Sequence, residues 1–253
     1  MRAHITAVRG FLRWAHETGR ITTFRDRPFR RLLASYPATY GKVQSPHPAR
    51  RLTKAEYDHL TTACQDATEA GLRDELLIRL GVGAGMRSQE LVGATVGMVR
   101  QAPSLSWIGK RKKARTATAG PALVAVIAEY LRQYAVAVGR PLNDDDPLFC
   151  KARHSRCYPD QLQWGVGITT TAGVRALVLR RARVAGFDYL APHDLKRTAA
   201  RIMHEARSAD GGHLFDLLEI ADVLDHSNPK VTKDCYIGPL DTASKDRAAE
   251  LFG

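Results

Sequence analysis

Apolar residues recur every three or four positions along most of the chain, which is the spacing of one face of an α-helix. Near the start, Ile5, Val8 and Phe11 follow this spacing, so we expect a helix over about the first 20 residues. Gly19 is suited to the end of that helix, because glycine easily adopts left-handed backbone conformations. The chain is therefore predicted to open with an amphipathic helix.

A segment without helical periodicity follows over residues 36–52. It contains three prolines and one glycine but few large aliphatic residues. Such a composition is typical of an extended linker. We therefore predict a domain boundary here, with a partial helical region and linker at 1–45 and a larger domain at 46–253.

The larger domain shows mostly helical periodicity. Thr53 and Glu56 form a capping-box pattern, Thr-x-x-Glu, which predicts a helix to about residue 68. Two short strands joined by a basic turn predict one small antiparallel sheet. The expected fold class is α+β, mainly α with a small antiparallel β-sheet. Further helices are predicted over 72–82, 89–94 (capped by Ser88), 121–138, 171–185, 193–206, 214–224, 229–236 and 242–252, and the strands over 105–109 and 115–118.

Charge is distributed unevenly along the chain. Residues 1–52 carry 11 Lys and Arg against 2 acidic residues, whereas the other 201 residues carry 27 against 24. The formal net charge of the whole chain is +12. A basic end of this kind predicts a polyanionic partner, with nucleic acid favoured over an anionic membrane surface. The candidate DNA contacts are Arg2, Arg9, Arg13, Arg20, Lys112, Lys113 and Arg115.

Several classes of protein are disfavoured. The longest apolar stretch, residues 121–131, is interrupted by Glu129 and is shorter than the ~18 residues of a membrane span. The first residues lack the three-part organisation of a secretory signal. Cys150, His154 and Cys157 lack an evident fourth metal ligand, so we expect reduced thiols rather than structural zinc. We predict a cytoplasmic protein with no membrane partner.

Two motifs in the first half of the larger domain place cations at a helix start and at a turn. Arg87 follows a glycine break, and Glu90 comes three positions later. Taken alone, this spacing is typical of an exposed arginine–glutamate pair on a helix. Lys110 begins the turn between the two predicted strands, and alone it indicates only a charged hairpin.

Two further motifs follow in the second half. His193, Lys196 and Arg197 are spaced i, i+3 and i+4, so they lie on one helical face. His226 is part of a Leu-Asp-His run, and Tyr236 comes ten residues later. Each motif alone is weak, so the prediction depends on their order.

The order and spacing of these motifs resemble the tyrosine recombinase (phage integrase) family. The family pattern is an arginine in a Gly-x-Arg-x-x-Glu-Leu box, a hairpin lysine, a His-x-x-Arg box, a Leu-Gly-His box and a C-terminal tyrosine. The resemblance extends from about Leu52 to Tyr236, and less clearly over residues 5–35. It implies the family's catalytic-domain fold at 46–253, preceded by a partial core-binding region at 1–45.

The core-binding domain of the family usually has four or more helices, whereas one or two precede the linker here. Two alternatives follow from this difference. Either the sequence is a fragment, or the protein grips DNA with a reduced module. In both cases affinity would depend on the basic arm and would fall steeply with salt.

The resemblance implies a site-specific DNA recombinase or integrase. Such an enzyme cleaves and rejoins DNA through a 3′-phosphotyrosyl intermediate, without metal, ATP or other cofactor. Tyr236 would be the nucleophile, Lys110 the general acid for the leaving 5′-oxygen, and Arg87 a phosphate ligand. The implied catalytic residues are Arg87, Lys110, His193, Lys196, His226 and Tyr236, supported by Glu90 and Arg197.

The resemblance also implies partners. These are double-stranded DNA at specific recombination sites, a homo-tetramer that exchanges the C-terminal tails following Tyr236, and accessory DNA-bending proteins. The tail could equally pack on its own domain. The implied location is the cytoplasm of a prokaryotic host or a phage-infected cell.

Two residues depart from the family pattern. Lys196 stands where the family has its second arginine, and lysine is a point charge rather than a planar fork. Lys196 could keep the function, Arg197 could replace it, or the chain could be a catalytically weak, recombinase-derived DNA-binding protein. A relaxing activity like that of type IB topoisomerases is a further alternative. Asp225 replaces the glycine before His226, whose pKa it would raise if the two side chains approach.

Overall fold

The structure, a computed structural model, describes residues 2–28, 31, 49–109, 113–154 and 158–225. The chain divides into two compact units, Met1–Pro48 and Ala49–Gly253. The assignment of residues 1–45 to a partial core-binding region and of 46–253 to a catalytic domain stays a prediction.

The first unit contains the predicted N-terminal helix. Helix α1 spans Arg2–Glu17, and Gly19 follows it with φ +70°. That backbone conformation is the left-handed one that glycine adopts without a steric penalty. The predicted helix and its termination signal are confirmed.

The second unit is mainly helical and contains two small antiparallel sheets, which confirms the predicted fold class. Its elements, in chain order, are α2 (Lys54–Thr62), α3 (Glu69–Gly83), α4 (Ser88–Val92), a 3-10 turn (Val96–Met98), β1 (Ser104–Ile108), β2 (Ala114–Thr118), α5 (Pro121–Val138), β3 (Cys150–His154), β4 (Tyr158–Gly167), α6 (Thr171–Val184), α7 (Pro192–Glu205) and α8 (Leu217–Val223). The helices predicted at 229–236 and 242–252 lie outside the described residues.

The prediction of a single sheet was wrong. Strands β1 and β2 pair as predicted, but β3 and β4 form a second antiparallel hairpin with two irregularities of register. The segment that forms β3 and β4 is rich in charged and polar residues and poor in β-branched ones. Its intrinsic strand signal is therefore weak, and tertiary packing determines its conformation.

Two helix boundaries differ from prediction because an N-cap residue fixes where a helix begins. The capping box of Thr53 and Glu56 is confirmed, with both reciprocal hydrogen bonds formed. However, α2 ends at Thr62 rather than near residue 68, because Thr68 caps α3 by accepting from the N–H of Gly71. In the same way, α8 begins after Asp216, whose side chain caps it, rather than at residue 214.

Helix α3 lies in the core of the second unit. Leu76, Leu77 and Leu80 of this helix are buried. Helix α5 packs against α3, and its two buried tyrosines, Tyr130 and Tyr134, contact the ring of Trp164. Among the described helices, α5 is long and apolar enough to cross a bilayer by length and composition alone, and one face of it packs within the second unit.

A buried charge network joins α3 to α6. The carboxylate of Asp74, which is fully buried, accepts hydrogen bonds from Arg73, Arg180 and Arg181. Arg181 also donates to Asp66. Two arginines of α6, Arg180 and Arg181, are therefore held by internal carboxylates, and the network fixes α6 against α3.

We expect Asp74→Asn to lower the free energy of unfolding by about 3–5 kcal/mol, because it leaves buried guanidinium groups without their shared anion. Urea unfolding monitored by circular dichroism measures this loss. Asp58→Asn is the matched control, because Asp58 forms an exposed pair with Lys54. That control should change stability by less than about 1 kcal/mol. Equal effects of the two substitutions would contradict a structural role for the network.

Candidate active site

Arg87 begins helix α4 directly after the glycine break that ends α3. Gly85 has φ +61°, and a Cβ at this position would lie 3.0 Å from Cδ2 of Leu224. Glycine therefore allows both the turn and the close approach of the segment that follows α8. The N–H of Arg87 donates to Oε2 of Glu90 at 2.9 Å. Arg87, rather than the predicted Ser88, is the N-cap residue of this helix.

The guanidinium group of Arg87 is held by two acidic residues. Nη1 donates to Oε1 of Glu90 and to Oδ2 of Asp225, each at 3.2 Å. Nη2 donates to the backbone carbonyl of Asp225 at 3.0 Å. The side chain remains 28% exposed. Arg87 is thus oriented by the protein while part of its side chain stays exposed.

Glu90 lies at the centre of a buried cluster under the β1–β2 hairpin. Its Oε2 accepts from Nε1 of Trp107 at 3.4 Å and lies 3.6 Å from Nη1 of Arg115. Trp107 and Arg115 are opposite each other in the sheet, and the guanidinium carbon lies 5.0 Å from the ring centroid. Gly109 permits this packing, because a Cβ there would lie 2.6 Å from Cδ of Arg115. The cluster fixes the hairpin against the helix that begins at Arg87.

Lys196 is almost completely buried on helix α7. Its exposed fraction is 1%, and Nζ donates to the carbonyl of Leu224. Burial lowers the pKa of Lys196 to about 7, and repulsion by Arg87 and Arg115 adds to this effect. Lys196, Arg87 and His193 line one cavity of about 340 Å³. This cavity can hold a small anionic group in contact with cations from α4 and α7.

The neighbours of Lys196 on α7 are disposed differently. The side chain of His193 is partly exposed. Its pKa is lowered by the burial of the remaining part and by the positive charge of Arg197. Nη1 of Arg197 donates to Oδ1 of Asp194 at 2.7 Å. The second oxygen of that carboxylate accepts from the N–H of Ala191 and so caps the helix. Arg197 is therefore tied to the helix start rather than directed into the cavity.

Asp225 completes the arrangement from the end of α8. Its backbone has φ +49°, a conformation that is unusual for a residue other than glycine. Oδ1 accepts from Nζ of Lys113 at 3.3 Å. Burial opposes ionisation, but the hydrogen bond from Lys113 and the charges of Arg115 and Arg87 lower the pKa of Asp225. The carboxylate is thus an anion between two cations of the site.

The structure brings together most of the predicted catalytic and supporting residues in the described range. Arg87, Glu90, His193 and Lys196 lie around or directly beside the cavity, and Lys113 reaches Asp225 beside it. Arg115 was predicted as a DNA contact, but it is buried under the hairpin. Lys110, Lys112, His226 and Tyr236 lie outside the described residues, so their roles stay predictions.

The predicted DNA contacts of the first unit take part in internal pairs. Arg9 and Arg13 both contact the carboxylate of Asp26. The guanidinium carbon of Arg20 lies 5.0 Å from the ring centroid of Trp14. Arg2 lies in α1, and its side chain is outside the described part of the chain. DNA binding by these residues stays a prediction.

Sequence reasoning missed Trp107 and the contacts of Asp225. In the sequence, Trp107 is only one of the apolar residues that alternate with serine in β1, and that pattern does not predict a contact with Glu90. The replacement of glycine by Asp225 is visible in the sequence, but its contacts with Arg87 and Lys113 depend on tertiary structure. The residues that the structure describes contain no group of three His, Cys, Asp or Glu side chains arranged to hold a metal ion.

Comparison with known proteins assigns this chain to a family. The sequence profile of the phage integrase family matches residues 50–242, a range that includes every residue of the site. The chain belongs to the phage integrase family. The resemblance seen in the sequence is therefore confirmed.

Curated relatives of this integrase-family chain are recombinases. It is 28% identical over 232 residues to the tyrosine recombinase XerC of Corynebacterium efficiens, with 90% of this chain and 63% of that protein covered. It is 28% identical over 249 residues to the tyrosine recombinase XerD of Xanthomonas axonopodis, with 88% and 74% covered. The chain spans less than two thirds of the length of the XerC proteins of the two Corynebacterium species that it matches.

Solved structures show the same fold. XerA recombinase superposes with a TM-score of 0.57 at 16% identity, covering 98% of this chain and 82% of its own. XerH site-specific recombinase, in a pre-cleavage complex with its difH substrate, gives a TM-score of 0.60 at 18% identity, covering 90% and 65%. These similarities support the fold of the integrase family independently of the motifs.

Proposed function

We propose that this protein is a site-specific DNA recombinase that cleaves and rejoins double-stranded DNA through a covalent bond between Tyr236 and a 3′-phosphate. The observation that carries the proposal is the cavity lined by Arg87, His193 and Lys196, which come from two separate helices. These residues occupy the positions of phosphate-binding and proton-transferring groups in the family pattern.

The site matches the charge that develops during phosphoryl transfer. Attack on a phosphodiester produces a pentacovalent state with more negative charge on the equatorial oxygens than the ground state carries. Cations fixed in advance stabilise this charge without reorganisation, and one such donor contributes about 10²–10³-fold in rate. Arg87 is fixed in this way by Glu90 and by the backbone of Asp225.

The proposed reaction is balanced within the DNA and the protein. The phenolic oxygen of Tyr236 forms a bond to phosphorus as the bond to the 5′-oxygen breaks. The proton of the phenol goes to a base of the site, for which His193 and His226 are the candidates, and Lys110 protonates the leaving 5′-oxygen. Attack by a 5′-hydroxyl from another strand reverses the step. Because the phosphotyrosyl bond retains the energy of the diester, joining needs no ATP.

Lys196 takes the place of the second arginine in this proposal. It lines the cavity, whereas Arg197 is held by Asp194 at the start of the helix. The geometry therefore favours Lys196 over Arg197 as the phosphate ligand. The pKa of about 7 means that Lys196 is only partly charged at neutral pH before a phosphate arrives. This feature also favours the second candidate function, a catalytically weak recombinase-derived DNA-binding protein.

The proposed partners follow from the same assignment. The substrate is double-stranded DNA at specific sites, as the XerH complex with difH suggests by analogy. The proposed assembly is a tetramer on paired sites with exchange of C-terminal tails, aided by DNA-bending proteins. The proposed location is the bacterial cytoplasm, and no cofactor is assigned to the reaction.

Covalent trapping tests the proposed function. The protein is incubated with duplexes from the ends of its own genetic element, each nicked near the cleavage point so that the released fragment diffuses away. We expect a protein–DNA band that survives denaturation with detergent and disappears after protease treatment. Supercoil relaxation without site preference would instead indicate a topoisomerase-like activity. DNA binding with no covalent band would support the DNA-binding alternative.

The pH dependence of cleavage tests the role of Lys196. The folded-state pKa lies below the ordinary value for lysine, so the charged form is lost as pH rises through about 7. Lys196→Arg stays charged over this range. We therefore expect the cleavage rate of Lys196→Arg, divided by that of the wild type, to increase with pH between about 6 and 9. The rates are measured at low enzyme and DNA concentrations, where they report the protonation state of the free enzyme.

Lys196→Ala completes that series. Loss of the cation should slow single-turnover cleavage by about 10²-fold, the lower end of the effect of removing one fixed donor. Arg197→Ala is the matched comparison on the same helix and should cost less. If Lys196→Ala cleaves as fast as the wild type, Lys196 does not bind the phosphate.

A further inference from the structure

Asp225 makes contacts that a glycine at its position could make only in part. Its backbone carbonyl accepts from Nη2 of Arg87, and a glycine carbonyl could do the same. Its carboxylate adds a hydrogen bond from Nη1 of Arg87 at 3.2 Å and another from Nζ of Lys113 at 3.3 Å. The side chain thus places a full negative charge between a cation of α4 and a cation of the hairpin.

Both cations are candidates for contact with DNA: Arg87 is the phosphate ligand of the proposed function, and Lys113 is a predicted DNA contact. Arg87 is 28% and Lys113 71% exposed at the side chain, so both can reach a ligand from solvent. Asp225 is 25% exposed and lies at the same surface. A phosphate that binds Arg87 must therefore come close to the carboxylate of Asp225. That carboxylate already accepts one of the hydrogen bonds that the guanidinium group can donate.

We propose that Asp225 is an internal anion that competes with a DNA phosphate for Arg87 and Lys113, and so weakens DNA binding by the free protein. This inference rests on the proposed function, in which Arg87 is a phosphate ligand. When DNA binds, the phosphate replaces the carboxylate as the partner of the two cations. Lys113 is then released from Asp225 and becomes available to the DNA.

The other contacts of Arg87 are consistent with competition rather than with simple support. Glu90 is buried, forms the capping box and stays bonded to Arg87 through a backbone N–H as well as the side chain. Arg87 therefore keeps its orientation when the Asp225 carboxylate is removed. The carboxylate of Asp225 is instead partly exposed. Because partly exposed ion pairs contribute little stability, a DNA phosphate can displace it.

The backbone at Asp225 is compatible with substitutions that remove the carboxylate. Its φ of +49° lies in the left-handed region, which glycine, asparagine and aspartate adopt more readily than other residues. Asp225→Asn and Asp225→Gly therefore keep the local backbone conformation.

Asp225→Asn tests the competition directly. Asparagine has the same shape and tolerates positive φ, but it removes the negative charge. We expect about fivefold tighter binding to a short fluorescent duplex of mixed sequence at low salt, on the scale of a partly exposed ion pair. The plot of log affinity against log salt concentration should become steeper by about one to two units, because one or two more cations become available to phosphate.

Two variants serve as controls. Asp58→Asn also removes one carboxylate paired with an exposed lysine, but on α2, and it accounts for the effect of net charge alone. Asp225→Gly removes the carboxylate without adding an amide. We expect Asp225→Gly to bind DNA as tightly as Asp225→Asn, and Asp58→Asn to behave like the wild type.

The outcomes separate this inference from the proposed function. If both Asp225 variants bind no more tightly than Asp58→Asn, the competition does not exist, whatever the trapping experiment shows. If the wild type forms the covalent band and the Asp225 variants bind no more tightly, only this inference is wrong. If no covalent band forms but both Asp225 variants bind more tightly, the competition is supported and the proposed function is wrong.

Discussion

Tyr236→Phe should abolish the covalent protein–DNA product while leaving DNA affinity unchanged. Phenylalanine retains the ring but has no oxygen to bond to phosphorus, so no other group on this side chain can replace the nucleophile. The loss should be complete rather than graded, which distinguishes a nucleophile from a residue that only supports the site. The measurement is the amount of detergent-resistant adduct on the nicked substrate.

A second tyrosine variant provides the control for this result. Tyr189 lies before α7, and its hydroxyl accepts a hydrogen bond from Nη2 of Arg175 at 2.9 Å. Tyr189→Phe therefore removes a phenolic oxygen that already has a structural partner. It should form the adduct at the wild-type rate. An adduct that persists in Tyr236→Phe would mean that another group attacks the phosphate.

Arg87→Ala should reduce the rate of single-turnover cleavage by about 10²–10³-fold. Its donor edge is oriented by Glu90 and by the Asp225 carbonyl, so it can stabilise the transition state without a reorganisation cost. Arg87→Lys should be intermediate, because lysine keeps the charge but cannot hold two oxygens at once. Rates are compared at saturating protein, so that weaker DNA binding does not contribute.

The matched control for Arg87 is another arginine–glutamate pair three positions apart. Arg132 pairs with Glu129 on the exposed surface of α5. Arg132→Ala removes the same charge from the same kind of helical pair, away from the cavity. It should cleave at the wild-type rate. A loss in Arg132→Ala as large as that in Arg87→Ala would show that total charge, rather than the position of Arg87, controls cleavage.

The helical framework of the protein is largely predictable from local signals. The Thr53–Glu56 capping box and the proline and glycine that bound α5 each act within a few residues of chain. Such signals fail where a segment takes its conformation from contacts with residues far away in the sequence. The β3–β4 hairpin was not predicted for this reason, because its residues have weak strand propensity and β4 packs against α3 and α5.

The candidate site was likewise predictable only in part. Arg87 and Lys196 could be found because family motifs preserve their spacing in the sequence. The burial of Lys196, and hence its lowered pKa, could not be found, because the carbonyl it contacts belongs to Leu224. The contacts of Asp225 with Arg87 and Lys113 likewise join residues far apart in sequence.

The attachment point of the DNA is the most direct test of the whole account. After trapping, the DNA is digested with nuclease, the protein with trypsin, and the peptide that carries the residual nucleotide is sequenced by mass spectrometry. The account predicts a phosphodiester link on Tyr236, joined to the 3′ side of the cleaved strand. Attachment at any other residue, or through the 5′ end of the DNA, would contradict it.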